Sequence, residues 1–233
     1  MNISNILKTV LFVVILAPSP GFSNENNFYT HFGASYSHTD NNVISDSRSL
    51  TGNITIPIHK FIGTKFSGIA SKLDNSNNLG LFGSLYLNDS HLGAVVMSYN
   101  YSKSFYNKYP DITAKGLEIT GIYYYGRFNF LANRYRSTAS ANGLSLPDLN
   151  VANMGLAAFL TENTLISVNK GLLDIKKMWG GEISYLPIAL GQKFAFDISF
   201  YKQPSNDNSF QVGINYYPGK RQSLKYHKRV EFN

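Results

Sequence analysis

Alternation of apolar and polar side chains is the feature that most limits how this chain can fold. Residues 49–60, 193–201 and 210–216 carry aliphatic or aromatic side chains at nearly every second position, with Gly52 at one of them, and mostly polar or small residues lie between. The same period, less regular, appears in residues 28–38 and 117–125. Successive side chains of a β-strand point to opposite faces, so each segment predicts a strand with one apolar and one polar face.

Twelve strands are predicted in all, and ten is the alternative count because weakly patterned neighbours could merge. The predicted strands are 28–38, 48–59, 63–72, 79–87, 92–102, 115–125, 128–136, 150–160, 164–170, 181–188, 193–202 and 209–217. Most of them have the roughly 9–11 residues with which a tilted strand crosses a bilayer.

The predicted connections alternate between long, polar segments and short ones. The long ones are 39–47, 73–78, 104–113, 137–149, 171–180 and 203–208, and the short ones are 61–62, 88–91, 126–127, 161–163 and 189–192. A barrel that crosses a membrane has short periplasmic turns and longer outer loops. We therefore predict an all-β fold, a single transmembrane antiparallel up-and-down β-barrel. A soluble sandwich, whose apolar face packs on a second sheet, is the alternative.

Composition excludes several classes of site. The 233-residue chain contains no cysteine, which rules out disulfides, iron–sulfur clusters and cysteine-based zinc sites. Its formal net charge is +7, but residues 218–233 hold five basic residues against one acidic residue. A nucleic-acid-binding protein spreads its basic surface over the fold, so nucleic acid is not an expected partner.

The N-terminus has the pattern of an export signal. Residues 1–8 contain one lysine, residues 9–17 are uninterruptedly apolar, and prolines with small residues follow. The apolar run is too short to span a bilayer as a helix. We predict a cleaved signal peptide, residues 1–23, with cleavage after Ser23. The barrel then comprises residues 24–217, and residues 218–233 form a basic periplasmic tail.

Several short stretches carry a resemblance to a known group of proteins. They are residues 52–59 (GNITIPIH), 80–83 (GLFG), 116–128 (GLEITGIYYYGRF), 212–217 (VGINYY) and the tail 219–229. On these residues the chain resembles porin-like bacterial outer-membrane β-barrel proteins without an assigned activity. The resemblance implies an outer-membrane location and recognition by the barrel-assembly machinery, and it implies no particular chemistry.

The sequence contains no nucleophile elbow, P-loop, metalloprotease motif or dinucleotide fingerprint. We therefore predict no catalytic residue, no cofactor and no metal site. A hydrolase pair of His31 with Ser35 or Ser37 is conceivable, but solvated interior residues are expected there. Polar side chains at alternate positions of the predicted strands should face the barrel interior. The residues predicted to line it are His31, Thr51, Asn53, Thr55, His59, Glu118, Thr120, Asn129, Asn133, Glu182, Ser184, Asp197, Gln211 and Asn215. Both signs of charge occur, so strong ion selectivity does not follow.

Two further groups are predicted on the outer surface. Arg134 and Arg136 share the outward parity of their strand near its outer end, where guanidinium groups could contact phosphates of lipopolysaccharide. Aromatic rings at periplasmic strand ends would anchor in the membrane interface, and they are Tyr123, Tyr125, Tyr216 and Tyr217.

The tail, residues 218–233, is predicted to hang in the periplasm. There it would contact an acidic partner or anionic lipid headgroups, or remain disordered. For the whole chain, the primary expectation is a passive channel for small solutes in the outer membrane. The alternatives are a non-conducting structural or surface-interaction barrel and, less favoured, a lipid-modifying enzyme, which would require a serine, histidine and acid cluster at the outer rim.

Overall fold

The computed structural model of the chain describes residues 29–40, 45–59, 61–73, 76–89, 91–107, 109–173, 176–202, 208–218 and 222–230. The predicted signal peptide, residues 1–23, lies outside them. The described residues form one antiparallel sheet that closes on itself, together with one short helix. Within this part of the chain, none of the helical segments has the length and apolar character of a membrane span.

Twelve strands follow one another along the chain. They are β1 (Tyr29–Asp40), β2 (Ser45–His59), β3 (Ile62–Leu73), β4 (Ser76–Asp89), β5 (Gly93–Tyr106), β6 (Ile112–Tyr125), β7 (Phe128–Ala141), β8 (Leu144–Thr161), β9 (Thr164–Leu173), β10 (Lys176–Tyr185), β11 (Phe194–Lys202) and β12 (Asn208–Tyr216). The helix, α1 (Leu224–Val230), follows β12, and a single 3-10 turn (Ile188–Leu190) joins β10 to β11.

Each strand pairs with its neighbours in the chain, and β1 also pairs with β12 from Phe32↔Tyr216 to Asp40↔Asn208. The sheet therefore has no free edge, which is the property that allows strands to cross hydrocarbon. The predicted closed antiparallel barrel of twelve strands is confirmed, and the two-sheet sandwich is excluded. Because the strand number is even, β1 begins and β12 ends at the same end of the barrel. We call this the turn end and the opposite one the hairpin end.

At the hairpin end, most of the polar segments predicted as long loops are continuations of strands. The largest difference is between β7 and β8, where the predicted loop 137–149 is reduced to Asn142 and Gly143. Both residues have positive φ, 50° and 80°. This is the backbone of a type I′ hairpin turn, for which Asn-Gly is the preferred pair. Polar residues pair in water as well as in lipid, so the ladders continue beyond the apolar surface.

At the turn end, β10 stops at Tyr185 instead of the predicted residue 188, and residues 186–193 form the longest described connection there. Pro187 has no N–H to donate to a strand ladder, so it ends the pairing. The following residues form the 3-10 turn, which Gly191 closes with a φ of 70°.

The outer surface of the barrel is apolar. Large hydrophobic side chains at alternate positions are about half exposed, including Val95, Met97 and Tyr99 on β5. On β11, Ile198 is 50% exposed and pairs with Ile183 and Val212 on its two neighbouring strands. A water-soluble protein rarely exposes a contiguous apolar surface of this extent. The apolar parity of the strands therefore faces outwards, where a barrel in a membrane contacts acyl chains.

Candidate functional site

The interior of the barrel is lined by the alternate strand positions that carry the polar side chains. Every predicted lining residue except His59 lies on this inward face. Near the middle of the barrel these side chains are only partly buried, so they border water-sized space. Near the turn end they are fully enclosed, as with Thr55 and Ser184, both of which have no exposed surface.

Carboxylates on the wall are held by neutral donors. Glu118 accepts hydrogen bonds from Asn133 (2.9 Å) and from Thr120 (3.2 Å). On the far side of the barrel, Asn215 donates to Asp197. Each acid is thus positioned by neighbours that do not neutralise its charge. The interior walls carry acidic groups at fixed positions and polar amides between them.

Glu182 is the third wall carboxylate, and it accepts a hydrogen bond from Ser184 at 2.7 Å. The sequence prediction missed an inward cation, Lys65. It pairs with Thr55 and Ser84, which lie on the inward parity of β2 and β4. Lys65 was not identified from the sequence because apolar and polar residues alternate only weakly in β3. Its spacing from Ser67 and Ser71, which are two and six residues further on, nevertheless indicated that all three face the same side.

The predicted position of His59 is wrong. A β-bulge shifts the register between Pro57 and His59, so that His59 pairs with Ile62. Ile62 shares the parity of outward-facing Phe66, and paired residues of a ladder face the same side. Because one extra residue reverses the parity of a strand, His59 is exposed at the end of β2 and does not line the interior.

The serines near His31 do not form a catalytic pair with it. Ser35 bonds to Ser49, at 2.6 Å. His31 instead bonds to the side-chain amide of Asn53, at 2.7 Å. At the hairpin end His38 bonds to Asp46 on the outer face (2.8 Å), but the serines of that level are on the inward parity. The sheet therefore separates this acid–imidazole pair from these serine hydroxyl groups, and the hydroxyl beside Asp46 on the outer face is that of Tyr36.

In the described part of the chain, no group of three or more histidine and acidic side chains could hold a metal ion.

The interior is closed at the turn end by α1. The first N–H groups of a helix lack partners within it, and here the N–H of Leu224 bonds to Oδ1 of Asn163, at 3.2 Å. The N–H of Lys225 bonds to the carbonyl of Glu162 (2.9 Å), and that of Tyr226 bonds to Oγ of Ser223 (3.2 Å). The turn between β8 and β9 therefore caps the helix and fixes where it begins.

One face of α1 is buried in the barrel mouth. Leu224 has no exposed surface and belongs to a cluster with Phe159, Leu165, Leu186, Ala195 and Tyr217. One turn further, the ring of His227 stacks on Tyr217 with centroids 4.1 Å apart. Nδ1 of His227 also bonds to the hydroxyl of Tyr29, at 2.7 Å. These contacts join the helix to both β1 and the end of β12.

The basic side chains of α1 contact other strands and turns around the mouth of the barrel. Lys225 forms an ion pair with Glu162 (3.0 Å), and Lys228 approaches Glu182 at 3.5 Å. Arg229 donates to the carbonyl of Gly126 and to Oδ1 of Asn129, both at 3.0 Å. Its guanidinium also lies 4.7 Å from the centre of the Tyr124 ring. Burial lowers the pKa of Arg229 from its usual value. The mouth is therefore spanned by one helix with contacts on several strands and turns.

Two sequence expectations change with this finding. Tyr217 was predicted in the interfacial girdle, but it is buried inside the mouth against His227. Tyr123 and Tyr125 do lie on the outer surface, about half and two-thirds exposed. The described part of the predicted periplasmic tail, residues 222–230, folds back against the barrel mouth, and the acidic side chains that Lys225 and Lys228 contact, Glu162 and Glu182, are those of this chain.

Basic side chains border the apolar outer surface at the hairpin end, and we call them the basic rim. On eight strands, the outward-facing positions change there from apolar to positively charged residues. Its members are Arg48, Lys72, Lys103, Lys115, Arg134, Lys170, Lys177 and Lys202. Arg136, the other predicted lipopolysaccharide contact, lies one step further out and is ion-paired with Asp148 at 2.8 Å.

No protein-family model and no curated protein matches this chain. Solved structures do resemble it. An outer-membrane channel from Pseudomonas putida F1 superimposes with a TM-score of 0.63 at 8% identity, covering 86% of this chain and 99% of that one. Outer-membrane phospholipase A from Escherichia coli gives 0.56 at 10% identity, covering 87% and 95%.

The KdgM porin gives a TM-score of 0.53 at 8% identity and covers 79% of this chain and 98% of that one. At sequence identities this low, the similarity shows the fold and nothing further. All three structures share that fold with this chain, a closed antiparallel barrel. The chain therefore has the fold of bacterial outer-membrane porins and barrel proteins.

Proposed function

We propose that this protein is a passive outer-membrane channel for small solutes whose periplasmic mouth is closed by its own C-terminal helix. The observation that carries the proposal is the position of α1, which fills one end of a polar, partly open interior. Two of the similar structures are a channel and a porin. The similarity to a phospholipase does not favour catalysis here, because the sheet keeps His38 and Asp46 apart from the serines at their level.

The proposed location follows from the apolar outer surface and the closed sheet. In outer-membrane barrels the longer polar extensions lie on the outer side. Here the polar strand ladders extend beyond the apolar surface at the hairpin end, so we assign the turn end and α1 to the periplasmic side. Export by a signal peptide of residues 1–23 and insertion by the barrel-assembly machinery belong to the same proposal. The hairpin end and its basic rim then face the outer leaflet.

Closure by α1 is reversible in this proposal because the helix lies outside the strand ladders. It is held by the burial of Leu224, by the stacking of His227 on Tyr217, and by polar contacts at the rim of the mouth. Partly exposed ion pairs such as Lys225–Glu162 contribute little each. The helix can therefore leave without breaking any pairing of the barrel, whereas a plug made of strands could not.

The charges of the wall suggest which solutes pass. When α1 leaves, Lys228 and Arg229 leave with it. The inward carboxylates that remain are Glu118, Glu182 and Asp197, and Lys65 is the cation on the same face among the strand residues whose side chains the structure describes. Acidic linings favour cations. The open channel is therefore expected to prefer neutral or cationic small solutes.

A disulfide that locks the helix tests the proposal directly, because the chain has no cysteine of its own. The N–H of Lys225 and the carbonyl of Glu162 are 2.9 Å apart, and their side chains meet at 3.0 Å. Backbones this close have the Cα spacing that a disulfide needs, about 4.4–6.8 Å. In planar bilayers we expect Glu162→Cys/Lys225→Cys to be silent when oxidised and to conduct intermittently when reduced, with a reversal potential that favours potassium.

The single variant Glu162→Cys is the control, and its conductance should not respond to reduction. A non-conducting barrel is the second candidate, since the seal around Leu224 is fully buried. That candidate predicts silence in both redox states. Equal conductance in both states would instead show that α1 does not control the pore.

A further inference from the structure

A groove of about 720 Å³ crosses the outer wall of the barrel at β1, β2 and β3. Part of it is a cross-strand row in which the small residues Ala34 and Ala70 flank Leu50. Phe196 and Val212 border it on the side of β11 and β12. Binding pockets for small ligands measure about 300–1,000 Å³. The groove thus offers an apolar depression of ligand size in a surface that otherwise faces acyl chains.

Two cations stand at the hairpin end of this groove. One step beyond Leu50 on the same face, Arg48 pairs directly with Lys72 on the neighbouring strand, and both lie along the groove. Both side chains are exposed. Like charges directly opposite each other destabilise a sheet, so an anion held between them would offset the repulsion.

Among the described residues, one acidic group, Asp46, lies near enough to Arg48 for their charges to interact, but it forms no salt bridge with it. Asp46, two residues further out on β2, is held by His38 at 2.8 Å. Within the described residues, no salt bridge to Arg48 or Lys72 is present. The pair belongs to the basic rim, but it differs from the rim members Lys103 and Lys115, whose partners across the ladder are uncharged (Leu79 and Thr113 for Lys103, Tyr101 and Thr138 for Lys115).

We propose that this groove binds lipid A, the phosphorylated acyl anchor of lipopolysaccharide. An acyl chain lies along the row of Ala34, Leu50 and Ala70, and a phosphate sits between Arg48 and Lys72. Charge complementarity selects an anionic headgroup. The position at the hairpin end selects a lipid of the outer leaflet, and the basic rim around it suits a lipid layer dense in phosphate. The inference rests on the proposed outer-membrane orientation and is independent of conduction.

Native mass spectrometry of the purified full-length protein in detergent tests this by titration with lipid A. Wild-type protein should retain lipid A, and Arg48→Gln/Lys72→Gln should bind it at least about tenfold more weakly, because charge-assisted contacts to phosphate are lost. Lys103→Gln/Lys115→Gln is the matched control, since neither lysine lines this groove. It removes two rim charges from other strands and should change the affinity of this site less than about twofold. Each variant is first checked for its barrel by circular dichroism.

Leu50→Trp supplies a second route, since it fills the groove and keeps both cations. It should also weaken binding of lipid A. Lipid A without its phosphates should bind wild type no better than it binds the double variant. The inference is overturned if the two double variants lose affinity equally, if dephosphorylated lipid A binds as well as lipid A, or if phosphatidylglycerol competes at equal concentration. These readouts do not involve conductance, so they can fail while the proposed channel stands.

Discussion

Replacing Leu224 with alanine should open the barrel mouth. Leu224 is fully buried in the cluster at the turn end, and truncation of a buried leucine costs about 2–5 kcal/mol. That cost applies to the docked helix and leaves the strand ladders intact. Since about 1.4 kcal/mol changes an equilibrium tenfold, the undocked fraction should rise at least about 30-fold until it saturates. Open probability of single channels in planar bilayers measures this change.

Tyr226→Ala is the matched control for that experiment. Tyr226 lies on the opposite, exposed face of the same helix. Its backbone N–H bonds to Ser223, and its ring meets the His227 ring edge-on, with centroids 6.1 Å apart. Its removal should leave the open probability near that of the wild type. If both alanine variants behave alike, the burial of Leu224 is not what keeps the mouth closed.

Arginine at position 198 should strongly destabilise the barrel in lipid. Ile198 is at the centre of β11, faces outwards, and has Ile183 and Val212 beside it. An arginine on the lipid face near the bilayer midplane costs about 2–4 kcal/mol. The free energy of unfolding of Ile198→Arg in vesicles, measured by denaturant titration, should fall by that amount.

The same charge placed in the interior should be tolerated. Gln211 is next to Val212 in the chain and therefore at the same level of the barrel, but it faces inwards opposite Ser199. The acidic wall residues Asp197 and Glu182 share this interior. Gln211→Arg should lower the free energy of unfolding by less than about 1 kcal/mol. Equal losses for the two arginine variants would mean that positions 198 and 211 do not face different media.

Much of the barrel was predictable because the side of the sheet that a residue faces follows from the alternation of its immediate neighbours in the sequence. Alternation in residues 193–201 required only neighbouring positions, and it placed Phe196 and Ile198 on the outer side and Asp197 on the inner side. The strand ends were less predictable, since ladders extend as far as turns allow. The Asn142–Gly143 pair held the signal for one such extension, but the surrounding polar residues resembled a loop.

The helix and its site were not predictable in the same way. Tyr29 and His227 are far apart in the chain and meet only after β1 has paired with β12. The buried face of α1 presents leucine, histidine and arginine, a mixture that in sequence resembles a solvated basic tail. The position of His59 could not be predicted for a different reason. A single β-bulge changes which side of the sheet the following residues face, and the amino-acid sequence around it gives no indication of the bulge.

The central claim is that alternate residues of one strand face lipid and water. Single cysteines at positions 117, 118, 119 and 120 of β6, each carrying the same fluorophore, test it in vesicles that contain nitroxide-labelled acyl chains. Quenching should be strong at the exposed positions Leu117 and Ile119 and weak at the inward positions Glu118 and Thr120. Equal quenching at all four positions, or stronger quenching at 118 and 120, would contradict a barrel with its apolar face in the membrane.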